Sequence, residues 1–291
     1  MTAGAIYRGY DQVALDKQYN NQQRVPRFAE HVARWQQESA KLRAERPAGL
    51  DIAFGPSPDE VLDIFAPDKA SGRAPVQVFF HGGYWRAFQS RDFDFVARLF
   101  TAAGAVAVVV NYALVPAVRM AELVRQCRAA LGWVQANIAA HGGDPQRIYI
   151  SGHSAGGHLV AMLAAVAPQA GESDTRAMIK AGVAISGLYD LEPIRLSYLQ
   201  ETLKLTEAEV AAYSPVRHLP AKSAPLVLAY GGAESEEFAR HPTHYGRLLR
   251  ERGVACDVRA LAGYDHMSIC TALTDPKSEP AQLILRQMEL A

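Results

Sequence analysis

Gly152-His153-Ser154-Ala155-Gly156 fits the pattern G-x-S-x-G, in which a sharp strand-to-helix turn presents a serine hydroxyl as a nucleophile. Residues 147–151 read as a short buried strand, and residues 157–167 as an apolar helix. A serine held at a strained backbone angle between the two needs neighbours without bulk, so glycines two positions either side let the segments pass closely. The pentapeptide alone also describes an ordinary glycine-rich turn, so its chemistry depends on partners elsewhere. A serine hydroxyl is a poor nucleophile at neutral pH. It needs a base to take its proton and an acid to orient that base.

His266 is the base candidate, because it sits in Gly263-Tyr264-Asp265-His266-Met267, directly after the last expected strand. The other histidines fit less well. His153 belongs to the turn, His158 falls on the following helix, His81 precedes a glycine pair, and His218 lies in an irregular segment. His31 and His141 read as surface or packing residues, while His241 and His244 have no third ligand spaced with them, so no metal site is expected. Glu234, four residues after the strand-like run 226–230, is the first choice for the acid. Asp190, after the preceding strand, is its rival, with a ready alternative role as a turn or helix cap. Glu236 and Glu237 follow behind.

An acyl-transfer intermediate carries charge on oxygen and needs preorganised N–H donors. His81-Gly82-Gly83-Tyr84-Trp85 follows the apolar run 76–80, and its glycines let the backbone approach such an oxygen. The expected donors are the N–H groups of Gly83 and Ala155, with Gly82 or Tyr84 as a third.

These residues need a frame that gathers strand ends into one crevice. Strand-like runs at 50–54, 61–65, 76–80, 105–112, 147–151, 181–186, 226–230 and 256–261 alternate, from residue 75 onward, with helical stretches at 93–103, 118–140, 157–167, 236–252 and 279–290. That rhythm implies a mostly parallel sheet with helices on both faces, an α/β fold whose catalytic loops leave the carboxyl ends of the strands. Residues 1–46 read as a helical extension with Phe28, Val32, Trp35 and Leu42 on one apolar stripe packed against the body. Residues 191–219 interrupt the alternation with Pro193 and Pro215 around a helical piece at 206–213, a cap-like insertion rather than a second domain.

Composition narrows the function classes. The chain has 291 residues, 49% of them hydrophobic and 21% charged, with 30 basic and 30 acidic side chains. That balance argues against a nucleic-acid partner. Cys127, Cys256 and Cys270 are far apart, a count that fits free thiols in a reducing compartment. The N-terminus has no basic region leading into an apolar run, and the stretch 102–110 is too short to span a bilayer, so a cytoplasmic protein without membrane contact is expected.

With these motifs in view, the chain resembles the α/β-hydrolase superfamily, in the branch with an H-G-G-x oxyanion motif that holds the hormone-sensitive-lipase-like esterases and the kynurenine formamidases. The order Ser154, Glu234, His266 is the superfamily's order. The formamidase group is matched by His81-Gly82-Gly83-Tyr84-Trp85, by Leu15-Asp16-Lys17-Gln18-Tyr19, by Glu234-Ser235-Glu236-Glu237-Phe238 and by Asp265-His266. The family's acid is often Asp where this chain has Glu234. The resemblance implies cofactor-free cleavage of a small acyl amide or ester, in enzymes that often form homodimers. Tyr84, Trp85, Phe88, Tyr112, Tyr189 and Tyr198 fall on loops expected to ring the serine, where they either face an aryl substrate or pack the loops. The residues are compatible with an aryl formamidase such as one acting on N-formylkynurenine, with a carboxylesterase for short acyl esters, and with a catalytically silent binding protein. A formamidase should have a cramped acyl pocket.

Overall fold

The computed structural model describes residues 4–47, 49–67, 72–170 and 172–291; the first three residues of the N-terminal stretch fall outside these. Eight strands form one sheet: β1 (Ile52–Ala53), β2 (Val61–Phe65), β3 (Ala74–Phe80), β4 (Val106–Val110), β5 (Gly143–His153), β6 (Ile179–Ile185), β7 (Leu226–Gly231) and β8 (Cys256–Leu261). Their spatial order is β1-β2-β4-β3-β5-β6-β7-β8. The β1–β2 and β2–β4 pairs are antiparallel, and every other pair is parallel.

The helices are α1 (Gln12–Tyr19), α2 (Asn21–Arg24), α3 (Phe28–Glu45), α4 (Ala97–Ala102), α5 (Met120–Asn137), α6 (Ala155–Ala164), α7 (Glu192–Leu196), α8 (Gln200–Leu203), α9 (Glu207–Tyr213), α10 (Glu236–Glu251), α11 (Ser268–Thr271) and α12 (Glu279–Gln287). Among the described residues no helix is long and apolar enough to cross a membrane.

The strand sequences explain the layering. Val76, Val78 and Phe80 of β3, with Val106, Val108 and Val110 of β4, lie in the core on the side of the sheet that α5, α6 and α10 cover. The intervening Phe79, Ala107 and Val109 face α3, α4 and α12. Side chains alternate along a strand, so a strand covered on both faces must be apolar throughout. The cap-like segment holds α7, α8 and α9, the last started by a reciprocal Thr206–Glu209 capping box.

The stretch expected to be helical over 93–103 is so only from Ala97. Residues 90–96 form two 3-10 turns instead. Side chains there take the bonds a helix would need: the Phe95 N–H donates to the Ser39 hydroxyl at 3.0 Å, and the Gln89 N–H to Asp92 at 2.9 Å. The three cysteines are free, and burial pushes the Cys256 thiol up to about 11.

Arg43 fastens α3 to the body. It reaches Asp94 at 2.7 Å, Asp63 of β2 at 2.9 Å and Asp51 at 2.8 Å. Burial opposes its charge, but the three carboxylates outweigh that and hold its pKa above the ordinary value. Burial and the neighbouring Asp63 raise Asp94 well above the usual carboxylate range, and Arg43 works against that rise. Arg43→Ala should therefore destabilise the fold by about 3 kcal/mol at neutral pH, the lower end for breaking a buried pair because Arg43 is partly exposed. Without the guanidinium Asp94 is raised further still, so the folded variant holds this proton more tightly than the folded parent does. Lowering the pH should then narrow the stability gap between variant and parent, which denaturant titrations at pH 7 and pH 5 will read.

Candidate active site

Strand β5 lies between β3 and β6, with Phe80 paired to Gly152 and His153 paired to Ile185. The strand ends at His153, and Ser154 turns the chain with φ 59° and ψ −118°, its N–H donating to the Ile185 carbonyl at 2.8 Å. Helix α6 begins at the next residue. The turn is tight enough that a Cβ on Gly156 would sit 1.9 Å from the Phe80 carbonyl oxygen. Only glycine allows that approach.

Ser154, His266 and Glu234 come together there. His266 Nε2 is 3.0 Å from Ser154 Oγ, and its Nδ1 is 3.0 Å from Glu234 Oε2. A carboxylate only accepts, so Nδ1 carries the proton and Nε2 is free to accept from the serine. The other carboxylate oxygen, Oε1, accepts from the Gly231 N–H at 2.8 Å and from the Ser186 hydroxyl. The loops after β7 and β8 are tied by Gly232 N–H to the Leu261 carbonyl at 2.7 Å and Ala233 N–H to the Tyr264 carbonyl at 3.0 Å. All three side chains are buried. The rival acids lie elsewhere: Asp190 accepts from the Tyr7 hydroxyl, Glu236 from that of Tyr10 and Glu237 from that of Tyr19.

The loop after β3 reverses through three left-handed residues, Gly83, Tyr84 and Trp85, at φ 113°, 49° and 56°. A Cβ on Gly83 would lie 2.2 Å from the Ala87 oxygen, and one on Gly82 would lie 3.1 Å from Ser154 Cβ. The Gly82–Gly83 backbone thus passes directly over the serine. Opposite it, Ala155 is the first residue of α6, where an N–H has no intrahelical acceptor and the helix dipole favours negative charge. His81 and His153 brace these turns. His81 stacks on Tyr112 at 4.2 Å and its Nδ1–H donates to the Gly82 carbonyl; burial holds its pKa down to about 4. His153 donates from Nε2 to the His266 carbonyl at 2.8 Å, and burial together with the His266 ring keeps it well below its ordinary value.

The serine opens on a cavity of about 110 Å³. Of the six aromatics expected to ring it, Tyr84, Phe88 and Tyr198 line the cavity, and Trp85, Tyr112 and Tyr189 do not. Trp85 is carried inward by the left-handed reversal and packs edge-on against His158 at 4.9 Å. Tyr112 donates to the His81 carbonyl at 2.7 Å, and Tyr189 stacks on Tyr245 at 4.8 Å. These three are core residues.

The N-terminal helices supply wall residues that the sequence reading assigned to packing or passed over: Asn21 and Gln22 of α2, and Phe28 and Trp35 of α3. Phe93, Arg86 and Met267 complete much of the lining. Trp35 and Phe28 belonged to the recognised apolar stripe, whose end reaches the cavity. The Leu15–Tyr19 motif explains how the extension docks. Asp16 accepts from the Tyr198 N–H at 2.7 Å, and the Tyr19 carbonyl accepts from the Tyr84 hydroxyl at 2.8 Å. The Tyr19 hydroxyl donates to Glu237 and meets His241 Nε2 at 3.1 Å. His241 Nδ1 accepts from the Tyr189 N–H, so this histidine is a buried strut.

The strand order and the mostly parallel sheet, with loops converging at its carboxyl ends, define an α/β-hydrolase. The chain belongs to the BD-FAE family, whose model matches residues 62–236. A zebrafish (Danio rerio) kynurenine formamidase is 29% identical over 285 residues, covering 94% of this chain and 95% of that protein. A protein of Silicibacter sp. TM1040, described as a candidate thioesterase, superposes with TM-score 0.78 and 28% identity over 93% of this chain and 98% of its own. The Thermogutta terrifontis esterase Est2 with propionate bound superposes with TM-score 0.61 and 25% identity, over 79% of this chain and 86% of its own.

Ser186→Ala would leave Glu234 Oε1 with only the Gly231 N–H. Loss of one bond to a charged group should slow fluorophosphonate labelling of Ser154 by about tenfold, with the melting temperature little changed.

Proposed function

We propose that this hydrolase forms an acyl-enzyme on Ser154 and that its substrates are small acyl amides, foremost aryl formamides such as N-formylkynurenine. The observation that carries the proposal is the unbroken chain of 3.0 Å contacts from Glu234 through His266 to Ser154, opening on a small cavity walled by aromatic rings. Ser154 Oγ attacks the acyl carbon while His266 Nε2 takes its proton. Glu234 holds the imidazole in the required tautomer and offsets its positive charge. The N–H groups of Gly83 and Ala155, with Gly82 or Tyr84 as a third, receive the oxyanion. His266 then protonates the leaving amine, and a water activated by the same nitrogen releases the acid.

Cavity size supports a small acyl group. The cavity measures about 110 Å³ and is partly open, which suits a small acyl group at the serine with the rest of the substrate reaching along the aromatic wall. The likeness to the zebrafish kynurenine formamidase, which spans nearly both chains, favours the amide. A second reading, a carboxylesterase for short acyl esters, is favoured by the likeness to the propionate-bound esterase. Both readings take a small molecule as partner. Three unpaired cysteines suit a reducing compartment, and we assign the enzyme to the cytoplasm.

Ser154→Ala should lower kcat by about 10⁴-fold or more, because the members of such a relay act as a unit. A variant that kept most of its activity would end the serine mechanism. Parallel kcat/KM values for N-formylkynurenine and p-nitrophenyl butyrate separate the two substrate readings. The formamide should be preferred, and a hundredfold preference for the ester would overturn the formamidase reading in favour of the esterase.

A further inference from the structure

Arg86 stands out among the residues that line the cavity. The rest are apolar or aromatic side chains, uncharged amides, the glycines and alanine of the oxyanion loop, the serine and two histidines. Arg86 is the one arginine, lysine or carboxylate in that lining. Among the described residues no carboxylate lies within ion-pair distance of it, whereas nearly every other half-buried arginine in the chain has one.

Its head is nevertheless held in place. Nη1 donates to the Thr202 hydroxyl at 2.8 Å, and the guanidinium carbon lies 5.9 Å from the centroid of the Tyr198 ring, within cation–π range. Thr202 belongs to α8, so the cap-like segment positions the group from one side. The oxyanion loop carries it from the other: Arg86 lies three residues beyond Gly83, and its own N–H donates to the Gly83 carbonyl at 3.0 Å. A guanidinium has five N–H donors in a planar fork. Thr202 takes one of them. The structure thus holds an uncompensated positive charge, preoriented and half-buried, on the wall of a mostly apolar cavity.

We propose that Arg86 is a specificity-determining residue that receives a carboxylate carried by the substrate at a distance from the scissile acyl group. This deepens the proposed function and rests on it: the substrate class becomes an anionic aryl acyl compound rather than any aryl formamide or ester. One positive charge without a second cation matches a singly charged carboxylate. A phosphate monoester carries roughly −1.5 to −2 charges and needs more donors than this lining supplies. The planar fork fits the two carboxylate oxygens, and the aromatic wall accommodates the ring between the two ends.

The test uses matched pairs that differ only in charge: 3-formamidobenzoate against 3-formamidobenzamide, and 3-acetoxybenzoate against 3-acetoxybenzamide. The wild-type enzyme should favour the carboxylate member in kcat/KM by roughly ten- to a hundredfold, as expected for hydrogen bonds to a charged group. The preference should appear mainly in KM and shrink as salt is raised. Arg86→Met should bring the ratio of the two members close to one, and Arg86→Lys should retain part of it. A residue that merely braced Tyr198 would lower both members together and leave the ratio alone. That outcome, or a wild-type ratio near one in both series, would overturn the carboxylate assignment while hydrolysis of either series keeps the serine-hydrolase reading. Failure to hydrolyse any of the four compounds would overturn the reading on which it rests.

Discussion

Backbone passing close to backbone at the end of β5 is the constraint on which the site depends. The chain must leave a buried parallel strand, reverse within one residue, and enter a helix that is itself buried along its length. Ser154 bears the cost in a left-handed conformation that non-glycine residues adopt at roughly 1–3 kcal/mol. The turn persists because its neighbours over-determine it. The Phe80 carbonyl occupies the space where a side chain at 156 would go, and the Ile185 carbonyl accepts the serine N–H. Strain held this way points the hydroxyl away from both elements and toward the crevice.

Around that turn, several buried histidines serve as neutral struts. His81, His153, His158 and His241 each bond a backbone group, and burial keeps the pKa of each below its ordinary value. A neutral imidazole offers one donor and one acceptor without a charge that would need compensation. It can therefore hold a loop to a strand end in a dry interior, where a charged side chain would cost several kcal/mol. His153, next to the serine, donates to the backbone carbonyl of His266 and so joins the elbow to the base loop.

The N-terminal extension joins three segments around the cavity that come from distant parts of the chain. Through Asp16 it holds the backbone of Tyr198 in the cap-like segment, and through the Tyr19 carbonyl it holds the Tyr84 hydroxyl of the oxyanion loop. Arg24 donates to the Glu234 carbonyl at 3.2 Å, on the acid loop. A segment that reads as an amphipathic attachment is thus a structural part of the cavity wall. Its polar contacts are individually modest, but together they fix the position of groups that belong to no common strand or helix.

The sequence by itself determined the alternation of strands and helices, the serine turn and its glycines, and the positions of His266 and the Gly82–Gly83 loop just after strands. Each is a local matter: period-two apolar runs, small residues where the backbone must pass closely, and chemistry placed just after a strand. It also ranked Glu234 above Asp190, Glu236 and Glu237 by its place after a strand, but all four follow strands or start a helix, and position alone could not show which one meets His266. Only tertiary structure brought Glu234 to His266 and sent the other three to Tyr7, Tyr10 and Tyr19. The aromatic residues divide for the same reason. Tyr84 and Trp85 are adjacent and alike in composition terms, yet a left-handed reversal sends one to the cavity and the other to the core. Which way a loop side chain points is set by the backbone angles of its turn and by what packs against it. Those partners lie more than sixty residues away along the chain, where no local pattern can name them.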